Sequence, residues 1–306
     1  MKLVNLGNTN WSVSNIALGT WRMNKLTVDQ AVKTIETAID QGINFFDSSD
    51  VYGRSESEKI FGQAIKQVSK SRDELFIQTK GGIISHQRYD FSKQHLIQAV
   101  DNSLMRLDVD YLDSYLLHRP DPLMEPDEVA EAFDDLQKAG KVRHFGVSNF
   151  NPQQVSLLQN SLNQKILVNQ LQFSLMHTGM IDHGIHTNMT DNRSVNHDGE
   201  LIEYSRRKNI TIQAWSPFQY SNYAGVFIDD PKAENLNQEL QKLADKYQVS
   251  KNAIAVAWIL RHPANFQVLI GTMNPEHIID SIAGSDIQLS RQEWYDLYLS
   301  AGNDLP

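Results

Sequence analysis

The chain has 306 residues, 41% hydrophobic and 21% charged, which is the usage of a globular protein and enough for one large domain or two small ones. A formal net charge of −9, without clustered Lys and Arg, argues against nucleic-acid and anionic-membrane partners, which need a basic face. With no cysteine there are no disulfides, thiolate metal ligands or cysteine nucleophile, and the composition fits a reducing, cytoplasmic setting.

The opening segment, residues 1–14, carries Gly7-Asn8 between short apolar stretches and is expected to form a hairpin. Gly, Asn and Ser interrupt it before a signal-peptide apolar region can form, and no long apolar run follows anywhere, so neither secretion nor membrane insertion is expected. Beyond it, short β-branched runs alternate with longer segments of helical period. In chain order the runs are 16–19, 44–47, 75–80, 111–118, 142–147, 166–170, 210–215 and 267–270. Eight runs of this kind predict a (β/α)₈ barrel of TIM type, its bottom plugged by the hairpin. An open doubly wound sheet is the alternative, weakened by the lack of an early Gly-x-Gly-x-x-Gly after a strand.

Helix starts are marked between the runs. Capping boxes are predicted at Thr27 with Gln30, Ser55 with Glu58 and Ser290 with Glu293, and Asn-Pro starts at Asn151-Pro152 and Asn274-Pro275. Leu96, Val100, Leu104 and Leu107 form one apolar stripe, and Ile254, Trp258 and Ile259 another, both expected to pack on the barrel. Two segments are too long for ordinary βα loops: 172–199, polar and read as a substrate lid, and 221–234, a second candidate lid.

In a parallel barrel the reacting groups stand at the C-terminal ends of strands. Asp47, Lys80 and His118 each end an apolar run, on three successive strands, and therefore converge on one mouth. Tyr52, five residues beyond Asp47 in a loop, can turn back over it. Singly, each has a dull reading as helix cap, solvated lysine, rim histidine or turn aromatic. Together they are equipment for protonating an oxygen. A phenol, with an ordinary pKa of about 10, is a poor acid at neutral pH, an adjacent ammonium stabilises its phenolate, a carboxylate holds the ammonium, and a neutral imidazole can donate to a carbonyl oxygen. These side chains cannot supply electrons.

Several ordered segments carry a resemblance. They are Gly19-Thr20-Trp21, residues 44–53, Thr79-Lys80, Leu116-Leu117-His118, residues 146–150, Asn169-Gln170, residues 215–218 and Ile270-Gly271-Thr272. In these the chain resembles the aldo-keto reductases, of the bacterial general type, over essentially its whole length. The resemblance implies reduction of aldehydes or ketones by a nicotinamide cofactor. Tyr52 is then the general acid, Lys80 its partner, Asp47 the anchor of that lysine and His118 the orienting group. It implies cofactor contacts from Gly19, Thr20, Trp21, Asp47, Ser148, Asn149, Gln170, Trp215, Ser216, Pro217, Phe218, Gly271, Thr272, Met273, His277, Asp280 and Ser281, with Trp21, Tyr52 and His118 facing the substrate. Amides and a hydroxyl at strand ends suit a carboxamide, and a Trp face suits a planar ring.

Family members that prefer NADP carry Lys or Arg in the loop after the eighth strand and an Arg early in the helix that follows. Here those positions are Gly271 or Met273, and His277. NADP is therefore expected as cofactor with NAD as a real alternative, and the preference between them is expected to be modest. No metal site is expected from His177, His183, His186 and His197, whose loop spacing lacks supporting ligands. The competing functions are a nicotinamide-binding redox sensor or regulatory subunit, and a lyase using Lys80 as a Schiff-base nucleophile. The expected partner is a small carbonyl substrate, and the chain is expected to be a monomer or weak homo-oligomer.

Overall fold

The computed structural model describes residues 1–189, 191–195, 199–221 and 224–303. Leu3–Asn5 (β1) pairs antiparallel with Ser12–Ser14 (β2), the hairpin expected from Gly7-Asn8. Gly7 takes a φ of 55°, and a Cβ added there would lie 2.8 Å from Leu167 O, so the turn requires glycine. Its amide donates to Thr211 Oγ1 at 2.7 Å. Leu6 and Val13 are fully buried against Phe45, Leu116, Leu167, Val168 and Leu269, so the hairpin closes the N-terminal end of the barrel.

All eight apolar runs become barrel strands. Ile16–Gly19 (β3), Phe45–Asp47 (β4) and Phe76–Gly81 (β5) come first, followed by the small hairpin Ile83–Ile84 (β6) and Arg88–Tyr89 (β7). Leu112–Leu117 (β8), Val142–Ser148 (β9), Ile166–Gln172 (β10), Thr211–Trp215 (β11) and Phe266–Ile270 (β12) complete the ring. The closed order is β3-β4-β5-β8-β9-β10-β11-β12, parallel throughout, which excludes the open doubly wound sheet.

The helices Val28–Asp40 (α1), Glu56–Ile65 (α2), Lys93–Leu107 (α3), Pro126–Lys138 (α4) and Pro152–Ser161 (α5) follow successive strands. Gly179–Ile185 (α6), Leu201–Lys208 (α7), Glu234–Tyr247 (α8), Lys251–Arg261 (α9), Pro275–Ile282 (α10) and Arg291–Ser300 (α11) complete those described. Thr27 with Gln30 and Ser290 with Glu293 form the expected capping boxes, and Asn151 forms one with Gln154. The predicted box at Ser55 with Glu58 does not form. Ser55 sits at a φ of 73° and its hydroxyl donates to Asp50 O at 2.7 Å. Glu58 is fully buried and accepts instead from Thr79 Oγ1 at 2.6 Å and Arg106 Nε at 2.7 Å, because a buried carboxylate needs a cation and donors more than a helix end needs a second cap.

The barrel interior is unusually polar. Gln267 Nε2 donates to Ser14 O at 2.8 Å, Gln213 Nε2 to Gln267 Oε1 at 2.8 Å, and Gln78 Nε2 to both Gln213 Oε1 and Asp47 Oδ1 at 2.7 Å. This ladder of amides runs from the hairpin at the bottom to the carboxylate at the top. Buried amides are tolerable only when paired, and these pair with one another.

The first part of segment 172–199, through Asp182, is anchored in the body of the protein. Phe173, Leu175, Met180 and Ile181 are buried, Phe173 stacks on Phe266 at 5.2 Å, and Tyr298 Oη donates to Asp182 Oδ1 at 2.5 Å. Among the described residues no helix is long and apolar enough to cross a membrane.

Candidate active site

Asp47 ends β4 and Lys80 lies in β5, registered beside β4 on one side and β8 on the other, with His118 directly after β8. Three neighbouring strands thus deliver the three groups to one end of the barrel. Tyr52 comes from the turn between β4 and α2, where Gly53 has a φ of 57° and a Cβ would fall 2.5 Å from Asn24 Cβ. Tyr52 faces His118 edge-on at 5.9 Å between ring centroids, and Lys80 Nζ lies 5.0 Å from the Tyr52 ring centroid.

Lys80 is fully buried. Its ammonium donates to Asp47 Oδ1 and Oδ2, both at 2.7 Å, and to Ser48 O at 2.6 Å. Burial lowers the lysine pKa from its ordinary value, and Asp47, by charge and hydrogen bond, opposes that effect. Asp47 Oδ1 further accepts from Gln78 Nε2 at 2.7 Å and Gln170 Nε2 at 3.1 Å, so the amide ladder ends on the anchor of the lysine. Ser49 Oγ lies 3.0 Å from His118 Nδ1. Burial, then the charges of Lys80 and Arg119, hold His118 well below the ordinary histidine pKa, so its imidazole is neutral at neutral pH.

A cavity of about 1130 Å³ opens above these groups. Asp47, Tyr52 and His118 line one part of it, with Ser148, Asn149, Gln170, Trp215, Gly19 and Trp21 around them. Ser216, Pro217 and Phe218 continue the wall towards Gly271, Thr272, Met273, His277 and Asp280. Lys80 stands behind the lining. Two expected contact residues are elsewhere. Thr20 is fully buried with its hydroxyl donated to Ser48 Oγ at 2.9 Å, and Ser281 is fully buried with its hydroxyl donated to His277 O at 2.7 Å. Neither lines the cavity, since each hydroxyl is turned inward by its own partner.

The structure adds residues that the sequence reading passed over. Lys251 and Asn252, at the start of α9, line the cavity together with Thr272, Met273 and His277. Lys251 is mostly buried and pairs with the exposed Asp229 of the segment after β11, so a cation does stand at this end, from another part of the chain. Its helix-start position after Ser250, an ordinary N-cap, gave no hint of this. Arg22 also lines the cavity and donates to Gly271 O at 3.0 Å. Among the described residues of 172–199 none lines this cavity; Val226, Ile228 and Asp229, from 221–234, do.

Two histidines of 172–199 have side-chain partners, and the buried Nδ1 of a third, His183, has none among the described residues. His177 Nδ1 lies 2.7 Å from Ser221 Oγ and His186 Nδ1 lies 3.2 Å from Asp191 Oδ1, while His197 falls outside the described residues. Among the described residues no cluster of three or more potential metal ligands occurs.

Residues 15–298 match the model of the Aldo/keto reductase family. The chain is 32% identical over 98% of its length, and 96% of the relative's, to a 6-dehydroglucose reductase of Novosphingobium aromaticivorans. Among solved structures it is similar to a thermostable aldo-keto reductase in complex with the inhibitor epalrestat, with a TM-score of 0.79 and 25% identity, covering 98% of this chain and 100% of that one. An aldo-keto reductase from Klebsiella pneumoniae in complex with NADPH superposes with a TM-score of 0.77 at 26% identity, covering 97% of this chain and 93% of that one.

Proposed function

This chain belongs to the aldo/keto reductase family, and on that footing we propose that it reduces an aldehyde or ketone to an alcohol with NADP(H), Tyr52 giving the proton to the carbonyl oxygen. The observation that carries this reading is the meeting of Tyr52 and His118 at the cavity wall, above a buried lysine paired through both oxygens of Asp47.

The donor set fits the cofactor. Ser148, Asn149 and Gln170 offer hydroxyl and amide groups for a carboxamide, and Trp215 offers an aromatic face. Lys251, His277 and Thr272 offer a cation, an imidazole and a hydroxyl for a 2′-phosphate. When bound, the nicotinamide supplies the hydride that the side chains cannot.

The protein supplies the rest. Tyr52 Oη donates the proton as charge builds on the carbonyl oxygen, and the ammonium of Lys80 stabilises the phenolate left behind. Asp47 fixes that ammonium, and the amide ladder beneath fixes Asp47. His118, neutral, donates to the same carbonyl oxygen from Nε2 in the tautomer in which Ser49 donates to Nδ1. A Schiff-base role for Lys80 has no support, because the amine is fully buried and donates to three oxygens. The acidic, cysteine-free composition supports a cytoplasmic setting.

A panel of aldehydes and ketones assayed with NADPH and with NADH tests the proposal. Turnover that vanishes in Tyr52→Phe supports it. Cofactor binding without turnover of any carbonyl would favour the sensor reading instead.

A further inference from the structure

Arg119 follows His118 directly at the mouth of the barrel and stands where two cavities meet. It lines the large cavity above Tyr52, and also a second one of about 480 Å³ bounded by Asn151, Gln154, Gln172 and His177. Asn149 and Trp215 belong to both walls, so the second space is a side chamber of the reaction site.

Charge at this end is unbalanced. The ammonium of Lys80 is matched by Asp47, and that of Lys251 by Asp229. Arg22 spends a guanidinium N–H on Gly271 O. The guanidinium of Arg119, only half-buried, makes no hydrogen bond or ion pair among the described residues. No Asp or Glu lines the second cavity among those residues; its polar wall consists of amides, a histidine and Arg119 itself. A guanidinium in a cleft lined by amides, with its donors unspent, has the chemistry to receive an oxyanion. Structural arginines of this chain look different: Arg72 bonds Asp113 and two carbonyls, and Arg106 bonds Glu58 and Ser103.

We propose that Arg119 is a substrate-specificity residue, binding an oxyanion group carried by the carbonyl substrate at the end remote from the reacting carbon, so that the preferred substrates are anionic aldehydes or ketones. The inference rests on the carbonyl-reductase reading of the site. The reacting carbonyl lies at Tyr52 and His118 while the anionic end occupies the side chamber, where Arg119 forks onto it and Asn151 or Gln154 completes its hydrogen bonds. The same positive charge draws anionic substrates into the mouth.

The test compares 4-carboxybenzaldehyde with 4-methylbenzaldehyde, which differ in charge at the remote end, in the full-length enzyme and in Arg119→Met and Arg119→Lys. The expected result is a kcat/KM preference for the carboxylate of at least about tenfold, carried mainly by KM. It should collapse in Arg119→Met, return in part in Arg119→Lys, and weaken as salt is raised. The dissociation constant for NADPH, read by fluorescence quenching, should stay in place in Arg119→Met. A preference that is absent, or that survives Arg119→Met, overturns the inference, as does a variant whose defect lies in NADPH binding. Failure of the enzyme to reduce either aldehyde with either cofactor would instead bring down the carbonyl-reductase reading, and this inference with it.

Discussion

The ammonium of Lys80 sits 2.7 Å from each carboxylate oxygen of Asp47, a two-point contact made wholly inside the barrel. The pair costs desolvation, and its value lies in holding one charge beside the phenol of Tyr52. Lys80→Met removes that charge and should lower kcat/KM by roughly 10²–10⁴, the range of a general-acid contribution. Asp47→Asn keeps the lysine and the hydrogen-bonding shape, and should cost less. Profiles of kcat against pH check the coupling. An unchanged profile in Lys80→Met would disconnect the lysine from the phenol.

Asp50 lies behind Lys80, its amide donating to Lys80 O at 3.0 Å. Burial, then repulsion from Glu58, pushes its pKa from 3.8 up to about 7. The folded value exceeds the unfolded one, so stability linked to this group is fully present below about pH 4 and is lost as pH rises through about 7. Asp50→Asn keeps the shape and removes the ionisation. It should raise the melting temperature by a few degrees at pH 8 and leave it nearly unchanged at pH 4. Equal shifts at both pH values would contradict the assignment.

Beside Thr272, Met273 and His277 the cleft holds Lys251, where the loop after β12 has no arginine. Lys251→Ala should weaken NADPH binding about tenfold or more while changing NADH affinity little, since only the former carries the 2′-phosphate. Met273→Arg should instead widen the preference for NADPH, by adding a guanidinium for the same phosphate. Dissociation constants for both cofactors decide the matter. Equal losses for NADPH and NADH in Lys251→Ala would remove the lysine from phosphate recognition.

Phe173, at the base of segment 172–199, is fully buried between Trp258 and Phe266. Phe173→Ala should destabilise the fold by about 3–5 kcal/mol, the usual cost of an aromatic cavity. Denaturant unfolding measures it, and a cost below about 1 kcal/mol would mean that the segment is only draped over the barrel.

The strands were legible because β-branched runs bounded by turn residues recur along the chain, and each of the eight runs became a barrel strand. Asp47, Lys80 and His118 were legible for a related reason: polar residues that end apolar runs must stand at the mouth of a parallel barrel. What escaped depends on pairing across the fold. Gln78, Gln213 and Gln267 carry no local signal, and only closure of the barrel stacks them under Asp47. Glu58 read as a cap because local spacing cannot reveal Arg106, which lies on another helix. Lys251 escaped for the same reason, since nothing in its local sequence links it to Thr272 and His277 across the cavity. Arg119 had a signal that went unused, since the residue after a strand-ending histidine also belongs to the mouth.

The central claim is that Tyr52 gives up a proton in the chemical step and does nothing else of comparable weight. The most direct measurement is NADPH oxidation by Tyr52→Phe with an aldehyde that the unmodified enzyme reduces, beside NADPH binding by fluorescence quenching. The rate should fall by roughly 10²–10⁴ while the dissociation constant moves by less than about threefold. Retained turnover, or turnover and NADPH binding lost together, would contradict the account.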